Sequence, residues 1–161
     1  MDKPLAWRDV HKYLGVFLSS NRSDQKDLTR QLRAIYTRGN ILIRKSSKCS
    51  DDVKMQLFSS HCTNLYCSQL WSHYSASSLQ RVAVAYNNVF RFLLKIRGPC
   101  SMSQLFIQNN INPFKVLMRK TICNFRRRLL CSENKLISVI INSTFFISAS
   151  QLYKKWSEQI F

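Results

Sequence analysis

Two acids stand side by side at Asp51 and Asp52, four possible metal ligands or nucleophiles occur at His61, Cys62, Cys67 and His73, and basic residues crowd the chain. Each set implies a different chemistry. Paired carboxylates could hold divalent cations, but phosphoryl transfer needs carboxylates from neighbouring strands around two Mg²⁺ ions about 4 Å apart. No third acid lies near this pair in sequence. After Ser50, which suits a helix N-cap, Asp51 and Asp52 read as first-turn residues favoured by the helix dipole. Thiolate and imidazole suit zinc, yet the spacing matches no knuckle or finger, and Cys on an apolar helix behaves as a small apolar side chain. His61 and Cys62 are adjacent and so point to different helix faces, the wrong arrangement for a nucleophile and its base. The expectation is no metal, no cofactor and no catalytic residue.

Charge is the stronger signal. From Val53 to Ser132 the chain runs eighty residues without Asp or Glu, while Lys54, Arg81, Arg91, Lys95, Arg97, Lys115, Arg119, Lys120 and Arg126, Arg127 and Arg128 supply eleven positive charges. The whole chain carries +17. Uncompensated charge repels itself, so such a chain is suited to a polyanionic partner, RNA or DNA first. Solvated outward faces of helices are the plainer alternative, although a solubility surface normally mixes both signs. Trp71, Tyr74, Tyr86, Phe90 and Phe92 could stack on bases, but their helical spacing points to the core.

The elements that carry these residues are mostly helical. With only three Gly and three Pro in 161 residues, few turn-makers remain for a sandwich or barrel. The alternation from Val10 to Leu18 predicts one strand, which needs a partner: either a short hairpin with the first residues or neighbours missing from this sequence. A helix should open near Ser23 or Asp24, with Asp27 in its first turn and Leu28, Leu32, Ile35, Gly39 and Leu42 on one face. A basic loop, Lys45 to Cys49, leads to a second helix bearing Val53, Leu57, Phe58, Cys62, Leu65, Leu70 and Trp71, apolar over a wide arc and read as the central one. A third carries Leu79, Val82, Tyr86, Val89, Leu93 and Ile96 and stops at Gly98 and Pro99. Together these predict an up-down-up bundle.

Beyond Pro99, a short segment Ser101 to Asn110 precedes a helix with Asn112 as N-cap and Pro113 at its first position, ending near Leu130. Phe114, Leu117, Phe125 and Leu129 should face inward, and Lys115, Arg119, Lys120 and Arg127 outward. The apolar run Ile137 to Ile141 is compatible with strand or helix, and Leu152 to Phe161 is amphipathic. The domain expectation is 1–20 as a strand remnant, 21–98 as a three-helix bundle and 99–161 as a basic helical extension.

Cys49, Cys62, Cys67, Cys100, Cys123 and Cys131 could form three disulfides in a secreted protein, but Met1 to Val10 has no apolar signal core. Reduced thiols inside a cell, nuclear or cytoplasmic, are expected. The stretch Leu136 to Ala149 is too short and too polar to span a membrane.

Read in order, Trp7, Val10, Lys12-Tyr13-Leu14-Gly15-Val16, Arg38-Gly39-Asn40, Leu42, Arg44-Lys45, Cys49-Ser50, Val53-Lys54, Leu57-Phe58, Cys62, Leu65-Tyr66 and Leu70-Trp71 resemble the carboxy-terminal portion of reverse transcriptases from non-LTR (LINE-type) retrotransposons. The resemblance is densest from Val10 to Trp71 and thins after Pro99. It implies that Tyr13, Leu14 and Gly15 are the remnant of a primer-gripping hairpin, with Gly allowing close approach to a nucleic-acid backbone, and that the helices are thumb-like and hold a duplex through its phosphates. Ser46 departs from the pattern, which tends to have Phe there. The family's aromatic-Ala-Asp-Asp turn lies upstream of the Tyr-Leu-Gly strand and has no counterpart before Tyr13. A non-catalytic fragment of a retrotransposon RNA-directed DNA polymerase, an open reading frame within a decayed element, is therefore expected.

Residues 40–71 are also similar to a short module associated with the amino-terminal region of an AlkB-type tRNA-modifying oxygenase. That chemistry needs two His and one carboxylate on iron, in that family as His-x-Asp followed by a distant His. None of His11, His61 and His73 has an acid two places on, and no glycine-rich loop for S-adenosylmethionine is present. Backbone binding is expected to use Arg30, Arg33, Arg38, Arg44, Lys45 and Lys48, with Arg126, Arg127 and Arg128. The alternatives are a helical protein-interaction module and an oxygenase- or methyltransferase-labelled module lacking the residues for that reaction.

Overall fold

The computed structural model describes residues 8–21, 23 and 25–144, except for the side chains at 70, 72 and 73. The described chain is mostly helical, opening with one antiparallel hairpin. Trp7, Asp24 and the Leu152 to Phe161 segment lie outside the described residues.

The strand expected from Val10 to Leu18 folds back on itself. β1 (Val10–Tyr13) pairs with β2 (Val16–Ser19), Val10 opposite Ser19 and Tyr13 opposite Val16. Leu14 (φ 44°) and Gly15 (φ 83°) form the two-residue turn, both in the positive-φ region that the primed hairpin turns require. Tyr13, Leu14 and Gly15 thus end a strand and make a turn rather than run along one strand.

α1 (Gln25–Lys45) begins where the periodicity places it and buries Leu28, Ile35, Gly39 and Leu42, with Leu32 partly covered. α2 (Asp51–His61) is ten residues shorter than expected and is not the central helix. Its buried positions are Lys54, Met55 and Phe58, whereas Val53 is exposed. Ser50 has the extended backbone of a cap, but its side chain makes no capping hydrogen bond. Cys62 closes α2, Cys67 takes a left-handed conformation (φ 58°), and Ser68–His73 forms a kinked 3-10 turn. Cys62, Leu65 and Trp71 are still buried, from the helix cap, the loop and the 3-10 turn rather than from one continuous helix.

α3 (Ala76–Leu93) is capped by Ser75, whose hydroxyl accepts from the Ser78 N–H. It ends at Leu93, short of Gly98, because Lys95 adopts φ 56° and the Ile96 and Lys95 N–H groups return to the Arg91 and Phe92 carbonyls. That is a Schellman closure with Lys in the place Gly usually holds. α4 (Met102–Gln108) closes the same way through Asn110 and seats Ile111 in the core. α5 (Phe114–Leu130) follows, with Pro113 as its cap rather than its first residue. α6 (Lys135–Asn142) settles the Ile137 to Ile141 run as helix.

α1 and α3 form the main pair, and α2 packs against α1. Gly39 makes room for α3 in this contact: a Cβ there would lie 2.5 Å from Val89 Cγ1. Around this contact, Phe58, Tyr86, Phe90 and Phe106 stack and tilt at centroid distances of 4.7–5.7 Å. Each such pair adds about 1 kcal/mol beyond the area it buries. Phe106, Ile111, Phe114 and Met118 belong to the same buried cluster as α1 and α3. The Tyr86 hydroxyl, otherwise stranded in apolar surroundings, donates to the Asn112 carbonyl (3.0 Å).

Candidate nucleic-acid interface

At 3.6 residues per turn, Lys26, Arg30, Arg33, Thr37, Asn40 and Arg44 fall within about 40° of one line along α1, opposite the buried face. Lys26, Arg33 and Arg44 are exposed, and Lys45 and Lys48 continue the charge past the helix end. From Lys26 to Arg44 the line is about 27 Å long at 1.5 Å per residue. Asp27, the helix's own acid, is buried and pairs with Arg30, which leaves the charges of Lys26, Arg33 and Arg44 to the surface.

Beside the first turns of α1 an open groove of about 380 Å³ runs against β2, lined by Phe17, Gln25, Lys26, Thr29, Arg30 and Arg33. Asp27, which does not line it, ties its two sides together. The Asp27 Oδ1 accepts from Arg30 Nε (2.7 Å) and from the Phe17 N–H (3.3 Å), while the Tyr74 hydroxyl donates to Oδ2. Burial pushes the Asp27 carboxyl up, but hydrogen bonds from Arg30, Tyr74 and Phe17 outweigh it and hold the group below its ordinary value. Arg30 is fixed by this ion pair and lies 6.0 Å over the Tyr66 ring. Its Nη2 is shut off from solvent without a hydrogen-bond partner, a cost that the cation–π contact offsets in part.

The sequence-predicted site residues divide into groups. Arg30, Arg33, Arg44, Lys45 and Lys48 share or extend the α1 surface. Arg38 does not: its guanidinium donates to the carbonyls of Ala34, His61 and Asn64, which ties α1 to the end of α2. One side of the hairpin tip meets protein as well. Tyr66 donates its hydroxyl to the Leu14 carbonyl (2.6 Å), and a Cβ on Gly15 would meet the Tyr66 ring at 3.3 Å. The close approach that glycine permits here is to an aromatic side chain, while Tyr13 and Leu14 stay exposed.

Arg127 and Arg128 are exposed on α5 and Arg126 is half-buried, so the three spread around that helix. α5 packs on the 3-10 turn, α3 and α6, whereas α1 packs on α3, α2 and β2, so the two basic helices have largely different neighbours. Lys115, Arg119, Lys120 and Arg127 face solvent as expected, with Lys120 donating to Asn112 Oδ1.

Of the aromatic residues considered for stacking, Trp71, Tyr86 and Phe90 are core, Tyr74 is half-buried and Phe92 is exposed. Phe17, which the sequence reading passed over, is the aromatic residue that lines the cationic groove. Gln31 was missed, and Asp27, Tyr66 and Tyr74 have roles that their sequence positions did not indicate: Gln31 is buried and donates to the Tyr66 carbonyl (2.8 Å), completing the polar seam that docks the hairpin.

All six cysteines are free. Burial pushes the Cys62 thiol up to about 11, with Arg38 acting in the opposite direction. Asp51 is paired with Lys54 (2.7 Å). Among the described residues no three His, Cys, Asp or Glu side chains gather as a metal site, and no helix is long and apolar enough to cross a membrane.

No protein-family model, no curated protein and no solved structure matches this chain. The resemblance to reverse transcriptases stands on the residues quoted for it.

Proposed function

We propose that this chain grips RNA or DNA through the sugar-phosphate backbone, without reading sequence and without catalysing phosphoryl transfer, as a non-catalytic, thumb-derived fragment of a retrotransposon polymerase would. The observation that carries the reading is the uncompensated cationic line on α1, from Lys26 through Arg33 to Arg44, continued by Lys45 and Lys48. Phosphate contacts of this kind position a protein on nucleic acid and carry no sequence information. The Tyr-Leu-Gly and following residues supply the family reading.

Titration of unrelated duplexes against the protein tests this. Neutralising about six phosphates should cost on the order of a thousandfold in affinity between 50 and 200 mM salt, alike for every sequence. Replacing Lys26, Arg33 and Arg44 together by Gln should shallow the log–log salt slope by about 2–3. A flat salt response, or a triple variant with the parental slope, overturns the reading. A second reading, a helical protein-interaction module, is favoured by Leu136, Val139 and Ile140, which lie exposed on one face of α6. Association with an acidic protein and none with duplex would select it.

A further inference from the structure

The groove between β2 and α1 differs in kind from the rest of the basic surface. Lys26, Arg30 and Arg33 line it, no carboxylate does so among the described residues, and Phe17 forms part of its wall. Phe17 is held there at both levels of structure: its N–H donates to buried Asp27, and Lys12 is its partner across the hairpin, on the same face. At about 380 Å³ the groove is near the lower end of the roughly 300–1,000 Å³ typical of small-ligand sites. That is room for one nucleotide and far too little for a duplex.

We propose that this groove takes a single unpaired nucleotide of a strand whose duplex portion lies along α1, its phosphate between Lys26 and Arg33 and its base against Phe17. The inference rests on the backbone-binding reading and adds a preference for a junction between duplex and single strand. An aromatic wall beside fixed cations is how proteins hold unpaired bases without reading their identity, because every base has a stacking face. Arg30, already paired with Asp27, serves as a fixed part of the wall, and the charge offered to a phosphate is that of Lys26 and Arg33.

The test compares three labelled DNAs by fluorescence anisotropy at one salt concentration: a blunt duplex, the same duplex with a short unpaired overhang, and that overhang with abasic sugars. The two overhangs have equal phosphates, so their ratio isolates the base. The base-bearing overhang should bind roughly five- to tenfold tighter than the abasic one. Phe17→Leu should bring that ratio to about one, Phe17→Tyr should retain it, and Lys26→Gln with Arg33→Gln should weaken both overhangs. Adenosine monophosphate should displace the overhang at lower concentration than inorganic phosphate does. Blunt-duplex binding with equal affinity for both overhangs overturns this inference alone. No binding to any of the three DNAs removes the backbone reading as well.

Discussion

Asp27 shows how much one side chain can join. It is 2% exposed and connects β2, α1 and the segment after the 3-10 turn through Phe17, Arg30 and Tyr74. Its folded pKa is lowered, so the stability it contributes is fully present above its unfolded value of about 3.9 and is lost as pH falls through the folded one. Asp27→Asn should cost about 2–3 kcal/mol at pH 7, since it leaves Arg30 uncompensated. The difference from the parent should shrink in urea titrations below pH 4; an unchanged difference at pH 3 contradicts this assignment. Cys62 makes a second residue-scale case. It is fully buried with a thiol near 11, whereas Cys49, Cys123 and Cys131 are exposed. At pH 8 a maleimide should label those three first and reach Cys62 only on unfolding, as read by peptide mass spectrometry. Early labelling of Cys62 would refute that order. Asp27 could be read from sequence only as a first-turn acid, because two of its three partners lie 10 and 47 residues away.

At the scale of elements, the α1–α3 contact depends on Gly39. A Cβ there would collide with both γ-methyl groups of Val89, at 2.5 and 2.7 Å, and a β-branched side chain in a helix has little freedom to move aside. Gly39→Ala gains about 1 kcal/mol of helix propensity yet should destabilise by a net 1–2 kcal/mol through overpacking. Val89→Ala should recover most of the loss in the double variant, which a denaturation cycle measures directly; strictly additive costs would show that the contact is not the cause. The faces of α1 and α3 were legible because burial on a helix repeats every 3.6 residues. The hairpin was not, since a two-residue turn at Leu14 and Gly15 leaves the alternation of apolar and polar positions undisturbed across it. The end of α2 was hidden for another reason: Cys62, Leu65 and Trp71 remain buried after the helix stops, so the apolar pattern outlasts the helix.

For the whole molecule, a charge of +17 with only two ion pairs among the described residues means net self-repulsion in the free state. Raising NaCl from 20 to 200 mM shortens the screening length to below 10 Å and should raise the melting temperature by a few degrees. Unchanged or falling melting would show that the charges are compensated in ways the fold does not reveal. Composition and periodicity were enough to establish a mostly helical chain, the positions of α1, α3 and α5, and an excess of cations, because these are local or additive properties. Which cations share a surface was a tertiary matter. Arg33 and Arg44 stay on the α1 face, Arg38 is consumed by the carbonyls closing α2, and Phe17 lines the groove because Asp27 and the Tyr66 seam fasten the hairpin to the helices. Contacts between residues far apart in sequence leave no periodic trace, so only the folded chain could assign them.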